Sequence, residues 1–377
     1  MKRLLGVVLV LAFWAAPAAW AFTPNDPYFD YQWNFQQIGM ETAWDYNLGG
    51  RSDITVAVLD TGVDWYLSDL SGTRFDYLNA YDFVNNDSQP LDDHGHGSHV
   101  TGTIAQTTDN ETGVAGIAFN TTILPLKILD QDGVDSEGYM AEAINYAIDH
   151  GADIINISAG GWNWSDALID ACNRALNNGV LIVAAAGNDG EAMADTPAIY
   201  DSVLAVGAVD MDYNLAPYSN HISNMIVAPG GDTSQDANGD GYVDGILQQT
   251  IDGDYWFYQG TSMATPHVAG VAALIEAELL DNGYRLSDNA SGTQWLANVL
   301  AYSALDLGEA GTDDIYGYGL LQADRALALT DDIIASLQVG SASSLGSPSE
   351  EFLSSFSYSE AQTAQLSALY DPQVFAK

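Results

Sequence analysis

From Arg51 to Asp324 short β-branched runs alternate with stretches long enough for helices, and this alternation restricts the fold more than any other feature. Residues 54–59, 122–128, 153–157, 180–186 and 203–209 read as strands, and 140–149, 166–177 and 265–280 as helices. The strand runs are mostly apolar and do not alternate with polar residues, so both faces of their sheet must be covered. The expected fold is α/β, a doubly wound, mostly parallel sheet with helices on both faces. Residues 22–47, aromatic and turn-rich, are expected to wrap this core. The Gly, Ser and Pro of 339–351 read as a linker, and 359–370 has the pattern of a short helix. The expected division is a leader at 1–21, one α/β domain at 22–328, and a linker and tail at 329–377.

The leader has its own logic. Lys2 and Arg3 precede an apolar run at 4–14, and Ala19-Trp20-Ala21 offers small residues for cleavage after Ala21. The run is shorter than the roughly 20 residues that cross a bilayer, so a secretory signal peptide is expected, with an uncleaved anchor as the alternative. The remainder holds no other stretch expected to span a membrane. The protein is therefore expected to be secreted, extracellular or periplasmic if its host has an outer membrane. Cys172 is the only cysteine, which excludes an intrachain disulfide and leaves packing as its expected role. The full chain carries 9 Lys and Arg against 51 Asp and Glu, a net charge of −42, which becomes −44 once Lys2 and Arg3 leave. So acidic a chain excludes nucleic acid as a partner, since phosphates require basic residues. Colloidal solubility explains the charge, and so does life in salt that screens self-repulsion. A monomer is expected.

Three separated segments belong together. Val56-Ala-Val-Leu-Asp60-Thr61-Gly62 delivers a carboxylate at the end of a strand. His94-Gly-His96-Gly97-Ser98-His99-Val100 is glycine-rich and opens a helix. In Gly260-Thr261-Ser262-Met263-Ala264-Thr265-Pro266-His267 a serine stands immediately before a helix whose first turn accepts a proline. Taken singly, the Asp is a turn or cap residue, the histidines are metal ligands, and the Ser is an N-cap. Jointly they run Asp, His, Ser, each at a strand end or helix start, and in an open parallel sheet those ends gather in one crevice.

The three segments closely resemble the subtilisin-like serine peptidases. Asn25-Asp26-Pro27-Tyr28-Phe29 resembles their thermitase branch, and the likeness covers residues 22–328. It implies a serine endopeptidase acting on polypeptide substrates, with Ser262 as nucleophile, His96 as base and Asp60 orienting the imidazole. His99 and His267 match structural histidines, and His94 precedes the motif. Ala184-Ala185-Ala186-Gly187-Asn188-Asp189-Gly190 matches the oxyanion segment, with Asn188 and the Ser262 amide as donors. Gly133, Val134 and Asp135 match an edge that pairs with extended peptide. Ser158, Ala159, Gly160 and Gly161 match one wall of the primary pocket, opposite Ala185 to Gly187. Asp195 reads either as the pocket floor or as an exposed loop residue. The alternative function is an inactive subtilisin-like secreted binding module.

The resemblance also implies structural Ca²⁺. Asp26, Asp69 and Asn110, with the carbonyls of Thr107, Thr112 and Val114, match one site, a hard-oxygen set suited to the ion. Asp82, Asn85 and Asp87 with Gln89 match a second, in which Asn85 replaces a carboxylate. Independently of the family, Asp236, Asn238, Asp240 and Asp244 space oxygens as an EF-like loop does, although Leu247 occupies the last ligand position. An acidic, turn-rich insertion explains this segment as well.

Overall fold

The computed structural model describes residues 22–135, 138–162, 164–339, 365–366 and 368–376. The leader and the expected 339–351 linker beyond its first residue lie outside the described residues. Strands β1 (Thr55–Asp60), β2 (Arg74–Phe75), β3 (Tyr81–Asp82), β4 (Thr122–Lys127), β5 (Ile154–Ile157), β6 (Leu181–Ala185), β7 (Leu204–Val209) and β8 (Met225–Pro229) form one sheet. Its order is β2-β4-β1-β5-β6-β7-β8, with β3 also on β4, and every pairing is parallel. The apolar runs of β5 to β8 are buried at every residue, as a sheet covered on both faces demands.

The helices are α1 (Trp33–Gln37), α2 (Met40–Tyr46), α3 (His96–Ala105), α4 (Met140–Asp149), α5 (Asp166–Asn177), α6 (Thr261–Asp281), α7 (Ala290–Ser303) and α8 (Ala323–Val339). The crossover from β1 to β4 runs one way across the sheet and that from β5 to β6 the other. Right-handed connections therefore put α3 and α5 on opposite faces. α4 packs on α5, and α6 packs on α3. α4 and α5 begin and end where the 3.6-residue pattern predicts, and Ser165 caps α5 by accepting from Leu168 N at 3.1 Å. Cys172 is buried, and burial pushes its thiol up to about 12, in keeping with a packing role.

α6 corrects two expectations. It is long and apolar enough to cross a membrane, contrary to the reading that no stretch after the leader is, but 89% of that window is buried inside the protein. A helix apolar all round belongs in a core. Its start also lies further upstream than predicted, so Ser262 sits inside the first turn and Pro266 is the sixth residue. There the missing N–H leaves the Ser262 carbonyl without its helical partner.

The division at 328 falls inside α8, whose Leu329, Ile333 and Ile334 are buried in the same core as the sheet. The tail joins this core as well. Leu366, Leu369 and Tyr370 are buried, and Trp295 Nε1 donates to the Leu369 carbonyl at 2.8 Å. After the hairpin of β9 (Ile246–Gln249) and β10 (Tyr255–Tyr258), a short β11 (Arg285–Leu286) pairs antiparallel with β12 (Phe375–Ala376) near the chain end. Of the short helix expected at 359–370, Ala368–Tyr370 forms a 3-10 turn. Residues 359–364 lie outside the described set.

Candidate active site

β1 ends at Asp60, whose side chain is fully buried. Next to it, α3 starts at His96, and His96 Nδ1 lies 2.7 Å from Asp60 Oδ1. The imidazole can approach because Gly97 lacks a Cβ, which would lie 2.1 Å from the Gly62 carbonyl. The first-turn amides of α3 are satisfied from the β1 side and from Asp92. Gly97 N donates to Thr61 Oγ1 at 2.9 Å, Ser98 N to Asp92 Oδ2 at 2.8 Å, and Thr61 Oγ1 to Asp92 Oδ1 at 2.8 Å. This network fixes the helix to the strand and the base to its carboxylate. Burial opposes the imidazolium, but the charge and hydrogen bond of Asp60, with the charge of Asp92, outweigh it and raise His96 above its ordinary pKa.

Ser262 faces the same crevice from α6. Its Oγ donates to the Ser158 carbonyl at 3.0 Å, and Ser158 Oγ donates to the Ser262 carbonyl at 2.8 Å. Ser158 thus supplies the hydrogen bond that Pro266 removed from the helix. Asn188 is exposed after β6 and accepts from Thr261 N at 2.9 Å and Thr261 Oγ1 at 3.1 Å through Oδ1. Its Nδ2 is left to donate outward. A Cβ built on Gly260 would lie 3.6 Å from Ser262 N and 3.9 Å from Asn188 Nδ2, so the two donors border one spot.

A family model for the subtilase family matches residues 51–319. The chain belongs to the subtilase family. It is 43% identical over 268 residues to the thermophilic serine proteinase of Bacillus sp. (strain AK1), covering 70% of this chain and 62% of that protein. It is 39% identical over 296 residues to thermitase of Thermoactinomyces vulgaris, covering 75% of this chain and 99% of thermitase. Among solved structures, one titled as proteases from Pseudoalteromonas arctica PAMC 21717 matches with a TM-score of 0.69 at 30% identity, covering 82% of this chain and all (100%) of that one. The subtilase is thus a serine peptidase of the Asp-His-Ser class, on the thermitase-like side of the family.

A cleft of about 790 Å³ runs past this constellation. Gly133, Val134 and Asp135 line it on one side, and Ser158, Ala159, Gly160 and Gly161 on the other. Gly187 stands behind the second wall, against Asp195. Asp135 uses its carboxylate to cap α4, accepting from Gly138 N and Tyr139 N, each at 2.8 Å, so only its backbone is free for a peptide. His94 also lines the cleft, opposite Gly133, although the motif excluded it from the chemistry. His99 and His267 are buried and bonded to backbone carbonyls, and burial lowers them to about 3 and about 4. Both hold structure.

Sequence reasoning missed three contributors. Asp92 and Thr61 build the network described above; an Asp three residues before a glycine at a helix start was the available signal. Lys127, 1% exposed, donates to the Thr61 carbonyl at 2.5 Å, Asp93 Oδ1 at 2.7 Å and the Leu129 carbonyl at 3.0 Å. It ties the loops around Asp60 together, and nothing local marks a strand lysine as buried.

Of the proposed metal ligands, Asp26 and Asp69 come together with the 107–114 loop. They are 4% and 0% exposed; Asn110 Nδ2 reaches Asp69 Oδ1 at 3.0 Å, and Asp109 N reaches Asp26 Oδ2 at 2.8 Å. Burial raises both carboxyls, and the charge of Asp69 adds to the rise at Asp26. Asp109, Glu111 and Gly113 take positive φ, giving a coiled loop that carries the Thr107, Thr112 and Val114 carbonyls. Among the described residues no three His, Cys, Asp or Glu side chains are grouped so as to hold a metal ion. The donor set is two buried carboxylates plus neutral oxygens, which fits Ca²⁺.

The other two sets are bonded internally, as the first is through Asp109 N, Asn110 and Val114 N. Both Asp82 oxygens accept from Asn85, at 2.8 and 2.9 Å, and Asp87 accepts from Gln89 N at 2.8 Å. Asp236 accepts from Gly241 N at 3.2 Å, Asn238 from Asp240 N at 2.9 Å, Asp240 from Tyr242 N at 2.8 Å and Asp244 from Ala237 N at 2.6 Å. These are turn-forming carboxylates and amides.

Proposed function

We propose that this subtilase is an exported serine endopeptidase that cleaves peptide bonds through an acyl-enzyme on Ser262. His96 and Ser262 on one cleft, with Asp60 bonded to the first and Asn188 beside the second, carry the reading. A neutral serine hydroxyl is a weak nucleophile. Rotation of Ser262 Oγ away from Ser158 toward His96 lets the imidazole take its proton as the oxygen attacks the scissile carbonyl. Asp60 keeps the other ring proton on Nδ1 and stabilises the imidazolium. The oxyanion is met by Ser262 N–H and Asn188 Nδ2. When the C–N bond breaks, His96 returns the proton to the leaving amine, and water then releases the acyl group by the reverse route. The cleft edge at Gly133 to Asp135 pairs with the substrate main chain, its Asp135 acting through the backbone. The leader-like residues 1–21 support export. Covalent labelling of Ser262 by a fluorophosphonate, together with cleavage of an unfolded protein, tests the reading, and an unlabelled Ser262 would favour a binding module.

Asn188→Ala is expected to lower kcat by about 10²–10³-fold, a scale known for this donor in the family, with KM little changed. Steady-state kinetics separates the two constants, and a defect confined to KM would remove Asn188 from the oxyanion site.

Ca²⁺ would be held by Asp26, Asp69, Asn110 and the carbonyls of Thr107, Thr112 and Val114. It would neutralise a buried acidic pair and tie the N-terminal segment to the loop after α3. An ion that binds only the folded chain stabilises it by about 2.7 kcal/mol at a hundredfold excess over Kd, on the order of 5 °C in Tm. Chelation of Ser262→Ala protein, which cannot digest itself, is expected to lower Tm by that amount, and Asp26→Ala to lose most of the response. Sodium chloride at equal ionic strength screens surface charge without replacing the ion. A Tm indifferent to chelator would reject the site.

A further inference from the structure

Asp195 follows the loop after β6 and is 9% exposed, yet its Oδ1 has no hydrogen-bond partner among the described residues. No ion pair among those residues involves it. Burial raises its pKa, and the charge of Asp189 adds to the rise. The carboxyl group is wedged between Gly160 of the cleft wall and Gly187 behind it. Its Oδ2 lies 2.7 Å from where a Cβ on Gly187 would stand and 3.5 Å from the corresponding point on Gly160. Ala159, Gly160, Gly161, Leu168 and Thr196 line the cleft in front of it. The glycines leave a passage, Ala159 and Leu168 offer apolar flanks, and the Asp195 carboxyl group lies directly behind Gly160. A buried carboxylate without a counter-charge is unfavourable, and a cation brought by a ligand removes that cost.

We infer that Asp195 is the floor of the primary side-chain pocket and selects peptides with Arg or Lys at the residue that supplies the scissile carbonyl. The stem of either side chain lies along Ala159 and Leu168, and its cationic head meets Asp195. The inference rests on the peptidase reading above and names its substrate class.

Wild-type protein is assayed on paired peptide anilides that differ only in Arg or Phe at the cleaved residue, and the ratio of their kcat/KM values is compared with that of Asp195→Asn. The wild-type ratio is expected to favour Arg, and the substitution to reduce the ratio about 100-fold. A separate arm measures benzamidine binding to Ser262→Ala and to Ser262→Ala carrying Asp195→Asn, where loss of Asp195 is expected to weaken binding similarly. A wild-type enzyme that cleaves only after aromatic or aliphatic residues overturns the inference, whether or not the variant folds. So does a ratio unmoved by Asp195→Asn. Asp195-dependent benzamidine binding without cleavage of any peptide would leave the cation-binding pocket standing and remove the peptidase reading instead.

Discussion

Ser262→Ala is expected to reduce peptide hydrolysis by a factor on the order of 10⁶, a scale known for triad serines of this family. The fold should survive, because Ser262 Oγ makes one hydrogen bond, to the Ser158 carbonyl at 3.0 Å. Its loss costs about 1 kcal/mol. The contact that repairs the helix at Pro266, Ser158 Oγ to the Ser262 carbonyl, uses no atom of the removed hydroxyl. The variant should therefore melt within a few degrees of wild type while cleaving nothing detectable in a fluorogenic assay. Retained turnover in a protein verified by mass would transfer the nucleophile to another residue. A collapsed Tm would instead make Ser262 structural.

Asp60→Asn is expected to cost on the order of 10⁴ in kcat. Asp60 Oδ1 accepts both from His96 Nδ1 and from Thr61 N, the latter at 2.7 Å. Thr61 N can only donate, so an asparagine that keeps its oxygen there preserves the Nδ1 contact but loses the negative charge that stabilises the imidazolium. A flipped amide would instead donate to Nδ1 and drive the ring proton onto Nε2, the nitrogen that must be bare to accept from Ser262. The pH profile checks the same contact. Free base is the active form, so the rate rises with pH through the His96 pKa, which Asp60 holds above its ordinary value. Without that charge burial prevails, the pKa falls, and the acid limb of kcat/KM moves to lower pH. An acid limb that stays in place in Asp60→Asn would contradict the assignment.

Much of the sheet was legible because its strands are continuous apolar runs, and α4 and α5 because their buried and exposed faces alternate with helical period. α7 and α8 escaped the reading. Their buried residues face other helices as well as the sheet, and the small polar residues between and after them resemble linker. Two-residue strands such as β2 and β3 carry no period at all. Asp60, His96 and Ser262 stood out because such residue types at strand ends and helix starts are restrictive, and Asn188 because its segment resembles the oxyanion segment of the subtilisin-like peptidases. Asp92 and Lys127 did not, because a carboxylate that caps a neighbouring helix and a lysine that holds loop carbonyls depend on which segments meet.

By itself the sequence determined the parallel α/β class and a cysteine suited only to packing, since each follows from residue type and period within a short window. Its resemblance to the subtilisin-like peptidases supplied the triad and oxyanion assignments. The tertiary structure decided the rest. Folding α6 into the core made the most apolar stretch after the leader a buried helix, and it let Ser158 satisfy the carbonyl that Pro266 orphans. Packing also drew the tail onto α7, with Trp295 bonded to Leu369. It turned Asp195 from a loop residue into an unsatisfied carboxyl group between Gly160 and Gly187. Burial and hydrogen-bond satisfaction depend on segments far apart in the chain, and only the folded arrangement brings those segments into contact.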